Sequence, residues 1–204
     1  MYYLSCSLFR LLFRILGGVT SVGEDNIPQT GGVIIAPNHI SYADPPAVSC
    51  GMSRQVHYMA KAELFKVPIL GALIHKVGSF PVRRGTADRK ALRRAIQLLG
   101  EGKVICVFPE GTRSPDGKLQ EPEFGIGLIA LKSRAPVVPV AVAGTDKVLP
   151  PHSKRPHFHP VRITYGRPLR FTDLYDVEES RQTIEEVGRR VMAEIANLLS
   201  VDNC

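Results

Sequence analysis

The sequence predicts an α/β fold, with a mixed, largely parallel sheet flanked by helices and preceded by an N-terminal amphipathic helix. Three observations favour this fold class. Short runs rich in β-branched residues recur along the chain, segments with helical periodicity separate them, and the first twenty residues combine an apolar face with two arginines. The chain has 204 residues, 44% of them hydrophobic, which is enough for one folded unit with a real core.

The opening segment, YYLSCSLFRLLFRILGG, is apolar over almost the length of a membrane-spanning helix, but Arg10 and Arg14 interrupt it. At helical spacing these arginines share one narrow stripe with Tyr3 and Ser7, and leucine and isoleucine cover most of the remaining surface. The pattern predicts a helix within residues 1–20 that lies in a membrane interface, with its arginines at lipid headgroups. A signal peptide and a helix packed on its own domain are the alternatives.

Runs of β-branched residues bounded by turn residues predict five buried strands, which span residues 32–36, 55–59, 103–108, 137–142 and 161–165. Pro139 lies inside the fourth run. Because proline has no N–H to donate to a neighbouring strand, it indicates an edge strand or an irregular one.

Helical periodicity follows residues 86–99, where Thr86 can cap the start and Gly100 the end, and recurs over residues 126–133. A final helix is predicted from about Val177 to Leu199. Strands that alternate with helices are typical of a sheet covered on both faces. Residues 21–204 are therefore predicted to form one α/β domain.

The net charge of +7 is unevenly distributed. Residues 1–103 carry 13 Lys and Arg against 6 Asp and Glu, whereas residues 104–204 carry 13 against 13. Such a surplus favours an anionic partner, which can be nucleic acid, an acidic lipid surface or a phosphorylated substrate. Only 7% of residues are aromatic and no groove-reading motif accompanies the charge, so nucleic acid is not expected as a partner.

Metal and disulfide chemistry are not expected either. The four cysteines are scattered, without the spacing of a zinc site or of a disulfide framework. The histidines of PPHSKRPHFHP have no cysteine or carboxylate nearby at ligand spacing, which favours a proline-rich surface loop.

His39 and Asp44, in the segment NHISYADP, follow the first of the five predicted strands, at the edge where open α/β sheets carry their sites. On an ideal helix two residues five positions apart point about 140° away from each other, so direct contact requires the loop to bend. Ser41 and Pro45 are typical of such a bend. If the pair forms, Asp44 orients the imidazole and His39 acts as a general base. A loop histidine that hydrogen-bonds only to the backbone is the alternative.

Two further segments combine arginine with turn residues. In FPEGTRS, residues 108–114, Arg113 can bind a phosphate bidentately, and Glu110 can hydrogen-bond a polyol or hold that arginine in place. A turn with a surface ion pair is the alternative interpretation. In GSFPVRRG, residues 78–85, Arg83 and Arg84 are candidates for anion binding.

The segments NHISYAD, GSFPVRR, FPEGTRS and APVVPVAVAG, in this order, resemble the four motif blocks of the glycerolipid acyltransferase family, especially its 1-acyl-sn-glycerol-3-phosphate acyltransferases. The blocks run from residue 38 to residue 144. The resemblance implies transfer of a fatty acyl group from acyl-CoA or acyl-carrier protein to the free hydroxyl of a lysophospholipid, with lysophosphatidate as the leading acceptor and phosphatidate as the product. It implies no cofactor, no metal and no acyl-enzyme.

The resemblance also implies residue roles. His39 would be the catalytic base and Asp44 its orienter, and the glycerol phosphate would be bound by Arg84, Glu110, Gly111, Thr112 and Arg113. The expected location is the cytoplasmic face of a membrane, as a peripheral or monotopic protein.

One stretch departs from the family pattern. Many relatives carry a lysine shortly before the glycine that precedes the fourth block, where this chain has Glu123-Phe124-Gly125. The departure leaves open another lysophospholipid or glycerol 3-phosphate as the acceptor. A non-catalytic membrane lipid-binding module is the remaining alternative.

Overall fold

The computed structural model describes residues 2–83, 85, 88–150, 153 and 155–202. Seven strands lie in this part of the chain: β1 (Val19–Val22), β2 (Val33–Pro37), β3 (Val56–Lys61), β4 (Phe80–Val82), β5 (Val104–Cys106), β6 (Val137–Ala143) and β7 (Val161–Tyr165). The helices are α1 (Tyr2–Ile15), α2 (Asp44–Cys50), α3 (Leu70–Lys76), α4 (Arg89–Gly100), α5 (Phe124–Ser133), α6 (Thr145–Val148) and α7 (Arg181–Asp202).

The strands form one sheet in the order β1-β7-β6-β2-β5-β3-β4. Strands β2 to β6 run parallel, β7 is antiparallel to β6, and β1 is parallel to β7. The predicted α/β class with a mixed, largely parallel sheet is therefore confirmed. Each of the five predicted strands is present, but β1 and β4 were not predicted, because four and three residues are too few for a periodic signal.

Strand β2 shows how the sheet separates two apolar layers. All five of its residues are buried, and successive side chains point to opposite faces. Val33 and Ile35 belong to the layer that α1 and α2 cover. Ile34 and Ala36 belong to the layer that α4, α5 and α7 cover.

The prediction that Pro139 marks an edge or irregular strand is wrong about position, because β6 lies between β2 and β7. The sheet tolerates this proline because the regular pairing of β6 with β7 stops beside it. The ladder between β6 and β7 begins only at Val140, paired with Tyr165, while Pro139 accepts a hydrogen bond from the N–H of Gly166. The missing N–H thus falls where β7 has ended.

The predicted cap of α4 is also wrong. The helix begins at Arg89 and its N-cap is Asp88, whose carboxylate accepts hydrogen bonds from the N–H groups of Lys90 and Ala91. Thr86 lies outside the described residues. The last helix, α7, starts at Arg181 and so begins later than the predicted Val177.

Helix α1 confirms the predicted helix but has two kinds of apolar surface. Tyr2, Cys6 and Phe13 are buried, so the alternative of a helix packed on its own domain is partly right. Arg10 also contacts the domain, because its Nε donates to the carbonyl oxygen of Cys50 at 2.9 Å. The predicted placement of the two arginines at lipid headgroups stays a prediction. The aliphatic side chains that remain exposed on this helix are Leu4, Leu8, Leu11, Leu12 and Ile15, and Tyr3 is exposed as well.

Among the described residues no helix has both the length and the apolar character needed to cross a membrane. The predicted domain boundary at residue 20 stays a prediction.

Candidate active site

His39 and Asp44 lie in direct contact, with 2.8 Å between His39 Nδ1 and Asp44 Oδ2. His39 follows the carboxyl end of β2, and Asp44 is the first residue of α2. The loop between them bends as the contact requires, because Asp44 Oδ2 also accepts hydrogen bonds from the N–H groups of Ile40 and Ser41, each at 2.8 Å. Pro45 then occupies the first turn of α2, where its missing N–H costs nothing.

Asp44 is completely buried, so its charge depends on these donors. Its second oxygen, Oδ1, accepts a hydrogen bond from Thr145 Oγ1 at 2.6 Å. Thr145 is itself fully buried at the start of α6, immediately after β6. The Asp44 carboxylate is therefore fixed by three hydrogen-bond donors, two backbone N–H groups and one hydroxyl, and by its contact with the imidazole.

The imidazole of His39 is held by ring packing and by the loop that carries it. Its ring stacks on Phe108, with 3.9 Å between ring centroids and 24° between planes. Its neighbour Asn38 exchanges two hydrogen bonds with the backbone of Val142, which ties the loop to β6. The ring position is thus fixed by packing and by the sheet.

The other ring nitrogen, Nε2, makes no hydrogen bond to a described residue. Every fully buried side-chain nitrogen or oxygen in the described part of the chain has a partner, so Nε2 must reach the surface. Since Nδ1 faces a carboxylate, we assign the proton to Nδ1, which leaves Nε2 with a free lone pair. This is the atom that can accept a proton. Among the described residues, no serine or cysteine side chain is hydrogen-bonded to His39.

Glu110 contacts the loop of His39 and does not contact Arg113. The carboxylate is buried; its Oε1 accepts a hydrogen bond from the His39 N–H at 2.7 Å, and its Oε2 accepts from the N–H and side chain of Gln120. Burial raises the pKa of the Glu110 carboxyl, and these hydrogen bonds oppose the shift. The turn is present, but the predicted ion pair between Glu110 and Arg113 is wrong, because the carboxylate is hydrogen-bonded to His39 and Gln120.

Arg113 lies against the His39 loop by another contact. Its guanidinium stacks on the ring of Tyr42, 3.5 Å from the centroid, and Tyr42 belongs to the NHISYAD segment. The guanidinium nitrogens make no hydrogen bond or ion pair to a described residue, so they are available to an anion. The Ser114 N–H donates to the His39 carbonyl oxygen at 2.8 Å, which holds the two loops together.

Gly111 and Thr112 form the turn between Glu110 and Arg113. Gly111 has a positive φ of 67°, and a Cβ at this position would come within 2.7 Å of the Glu123 side chain. Only glycine fits such a turn without strain. Thr112 is exposed beside it.

The second motif block is described only in part. Arg84 lies outside the described residues, so its predicted contact with substrate stays a prediction. Arg83 directly follows β4, and its backbone N–H donates to Asp88 at 2.9 Å.

A cavity of about 590 Å³ lies away from this site, between α1, β1 and the end of α2. Arg10, Arg14 and Glu24 are among its lining residues, and none of the candidate site residues is. Its charged lining does not suit a fatty acyl chain.

Sequence reasoning missed three residues of the site: Asn38, Gln120 and Thr145. Asn38 is the first residue of the first motif block and Thr145 directly follows the last block, but their partners are more than 100 positions away along the chain. No local pattern carries such contacts.

Comparison with known proteins agrees with this geometry. Residues 18–143 match the family model described as Acyltransferase. The 1-acyl-sn-glycerol-3-phosphate acyltransferase of Bacillus subtilis (strain 168) is 31% identical over 198 residues, 94% of this chain and 95% of the relative. A chloroplastic enzyme of the same name from Brassica napus is 32% identical over 152 residues, which are 72% of this chain but only 44% of that protein.

A solved structure is also similar. The crystal structure of the 1-acyl-sn-glycerophosphate (LPA) acyltransferase PlsC from Thermotoga maritima superposes with a TM-score of 0.78 at 28% identity, and the match covers 97% of this chain and 79% of the other. The family match spans more than half of the chain. The chain therefore belongs to the acyltransferase family, whose members transfer acyl groups in lipid synthesis, and it is an acyltransferase enzyme.

Proposed function

We propose that the protein transfers a fatty acyl group from an acyl thioester, acyl-CoA or acyl-carrier protein, to the sn-2 hydroxyl of lysophosphatidate, giving phosphatidate. The observation that supports this proposal most directly is the buried pair of His39 and Asp44, with Nε2 of His39 reaching the surface. A secondary alcohol is hardly ionised at neutral pH, so it needs a base when it attacks the thioester carbonyl.

In the proposed reaction, Nε2 of His39 accepts the hydroxyl proton while the alcohol oxygen attacks the thioester carbonyl. Asp44 stabilises the imidazolium that results. The tetrahedral intermediate then expels the thiolate, and the imidazolium returns the proton to the sulfur. β4 is an edge strand, so amides near Phe80 and Val82 are candidates to stabilise the oxyanion.

Arg113 and Arg84 are the proposed partners of the lysophosphatidate phosphate. The stacking of Arg113 on Tyr42 keeps a planar guanidinium beside the catalytic loop and leaves its nitrogens available. Glu110 is proposed to act through His39 and the loop backbone, since both of its oxygens are already hydrogen-bonded within the protein. Gly111 and Thr112 would shape the turn that presents Arg113.

The substrates are lipids, so the proposal includes a membrane surface on the cytoplasmic side. The exposed leucines of α1 and the basic first half of the chain suit an interface with anionic phospholipids.

A different acceptor is favoured by one specific observation. Glu123 packs against Gly111, and its N–H donates to the Pro109 carbonyl oxygen at 2.8 Å, which places an acidic residue beside the turn that carries Arg113. A carboxylate there disfavours a phosphomonoester and suits an acceptor with less negative charge, such as another lysophospholipid.

An acyl-transfer assay with paired donors and acceptors tests the proposal. We expect thiol release from acyl-CoA or acyl-carrier protein only when an acceptor is present, with lysophosphatidate preferred over glycerol 3-phosphate and over zwitterionic lysophospholipids. Equal thiol release without acceptor would indicate a thioesterase and would contradict the proposal. A preference for another lysophospholipid that is lost in the Glu123→Lys variant would establish the alternative acceptor.

A further inference from the structure

An exposed apolar turn follows β3 and leads into α3. Four large apolar side chains in residues 67–73 are accessible to water: Val67 is 45% exposed, Ile69 87%, Leu70 39% and Leu73 40%. Exposed apolar residues are common singly, but four of them within seven residues of the chain are a cluster, and exposed apolar clusters mark interaction surfaces.

Ile69 adopts a backbone conformation that is strained for its side chain. Its φ is 66° and its ψ −58°, and the N–H of Leu70 donates to the carbonyl oxygen of Pro68 at 2.7 Å, which closes a γ-turn. A β-branched residue with positive φ is an outlier, and the classic γ-turn that Ile69 forms is rare and strained. The turn therefore keeps an exposed isoleucine at its tip against the local conformational preference, which points to a role for that side chain.

This turn lies at the same edge of the sheet as the active site. β3 is parallel to β5, and β5 is parallel to β2, so the carboxyl ends of all three strands share one edge. His39 follows β2 there, and residues 62–70 follow β3. The connections from β2 to β3 and from β3 to β4 advance in the same direction across the sheet. Crossovers between parallel strands are right-handed in nearly all proteins, and two right-handed crossovers in one direction lie on the same face. That is the face on which α1 packs.

The charges around the turn suit an anionic lipid surface. Lys66 immediately precedes the patch, Lys76 follows Leu73 by three residues, and both are exposed. Glu63 is the nearby acidic residue on the preceding 3₁₀ turn. An apolar tip between lysines matches the layering of a bilayer interface, with acyl chains inside and anionic headgroups around them.

We propose that residues 67–73 form a second membrane-contacting surface, which inserts into an anionic phospholipid bilayer beside the active-site edge and acts together with the exposed face of α1. With two contacts on one face, the protein has a defined orientation on the bilayer, and the catalytic edge faces the lipid that supplies the acceptor. The inference deepens the proposed function and rests on it for this purpose.

Vesicle sedimentation of the full chain tests the proposal, with vesicles of phosphatidylcholine and phosphatidylglycerol. Ile69→Asn removes the apolar side chain, and asparagine tolerates a positive φ better than a β-branched residue does. We expect it to weaken vesicle binding about tenfold, the loss expected for an aliphatic side chain that no longer enters the acyl region. The thermal unfolding midpoint should stay close to that of the parent chain, because the Ile69 side chain is exposed.

Val177→Asn is the matched control. Val177 is 53% exposed and lies between α7 and Tyr175, which packs against the apolar layer on the opposite face of the sheet. We expect this variant to bind vesicles within about twofold of the parent chain, a difference of less than half a kcal/mol. Equal weakening by both substitutions, or no weakening by Ile69→Asn, would overturn the proposal.

Two other outcomes would also overturn it. Unchanged vesicle binding with a higher KM for the thioester would assign the patch to the acyl chain of the donor. Loss of a dimer in sedimentation velocity would assign it to a second copy of the chain. A further assay separates the membrane proposal from the proposed function. It measures acyl transfer by the parent chain to a soluble short-chain lysophosphatidate without vesicles. Absence of that activity would contradict the proposed function, whereas the vesicle-binding result would still test the membrane surface.

Discussion

Thr145 is the residue whose contact adds most to the expected chemistry of the site. Its hydroxyl donates to Asp44 Oδ1 at 2.6 Å, and both residues are fully buried. A hydrogen bond to a charged group contributes about 1.5–3 kcal/mol, and a buried carboxylate oxygen without a donor is costly. We therefore expect Thr145 to act as a positioning residue, which keeps Asp44 oriented toward His39.

Replacement of Thr145 separates this role from a general effect on folding. Thr145→Val removes the donor at nearly constant volume, and we expect kcat to fall about tenfold or more, consistent with the loss of roughly 1.4 kcal/mol or more. KM should change little, because the Thr145 hydroxyl is bonded to Asp44. Thr145→Ser keeps the hydroxyl and should restore kcat. A Thr145→Ser variant as slow as Thr145→Val would contradict the positioning role.

For individual residues, the sequence indicates which side chains are candidates for the site. It says less about which atoms each of these side chains contacts. The contact of His39 with Asp44 could be anticipated because both residues lie in one short loop. The contacts of Glu110 could not, because its buried carboxylate accepts from His39, 71 positions earlier in the chain, and this depends on β2 and β5 being neighbours.

Among the elements, α4 depends on a cap that also fixes the second motif block. Asp88 Oδ1 accepts from Lys90 and Ala91, and Oδ2 accepts from the N–H of Arg83. The hydrogen bonds from Arg83 and Ala91, and then Lys90, hold the pKa of the Asp88 carboxyl below its ordinary value. The carboxylate is therefore the form that stabilises the helix start.

The stabilisation by Asp88 should depend on pH in one direction. A carboxyl with a lowered pKa in the folded state contributes above the unfolded pKa of about 4, and the contribution is lost as the pH falls through the folded pKa. We expect Asp88→Ala to lower the free energy of unfolding by about 1 kcal/mol at neutral pH. Denaturant titrations of both proteins should show the difference shrinking in acid, and a constant difference down to acid pH would contradict this account.

Element boundaries could be predicted only where the pattern is long. The interior strands were recognised from their apolar runs, but β1 and β4 were too short. The position of Pro139 in an interior strand depends on where β7 ends, which the residues around Pro139 do not specify.

For the whole molecule, the basic first half and the apolar face of α1 favour attachment to an anionic membrane. Exposed charges are screened by salt, since the Debye length falls from about 10 Å at 0.1 M to about 3 Å at 1 M ionic strength. We expect high salt to weaken vesicle binding, and deletion of residues 2–15 to weaken it further. Circular dichroism should show that the shortened protein keeps its helices and sheet. Vesicle binding that is unchanged by both high salt and the deletion would contradict the membrane proposal.

The fold class follows from the alternation of strands and helices, and the family from four short motifs. The position of the exposed apolar turn at the catalytic edge could not be predicted from the sequence, because it depends on strand order and crossover handedness.

The central claim, that His39 is the base, is tested most directly by acyl transfer in His39→Ala, with the exposed His157→Ala as control. We expect transfer to lysophosphatidate to fall by about 10²–10⁴-fold in the first variant and to stay near the parent rate in the second. Vesicle binding and the cooperative thermal transition should persist in both. Transfer by a folded His39→Ala protein at more than about a tenth of the parent rate would contradict the account.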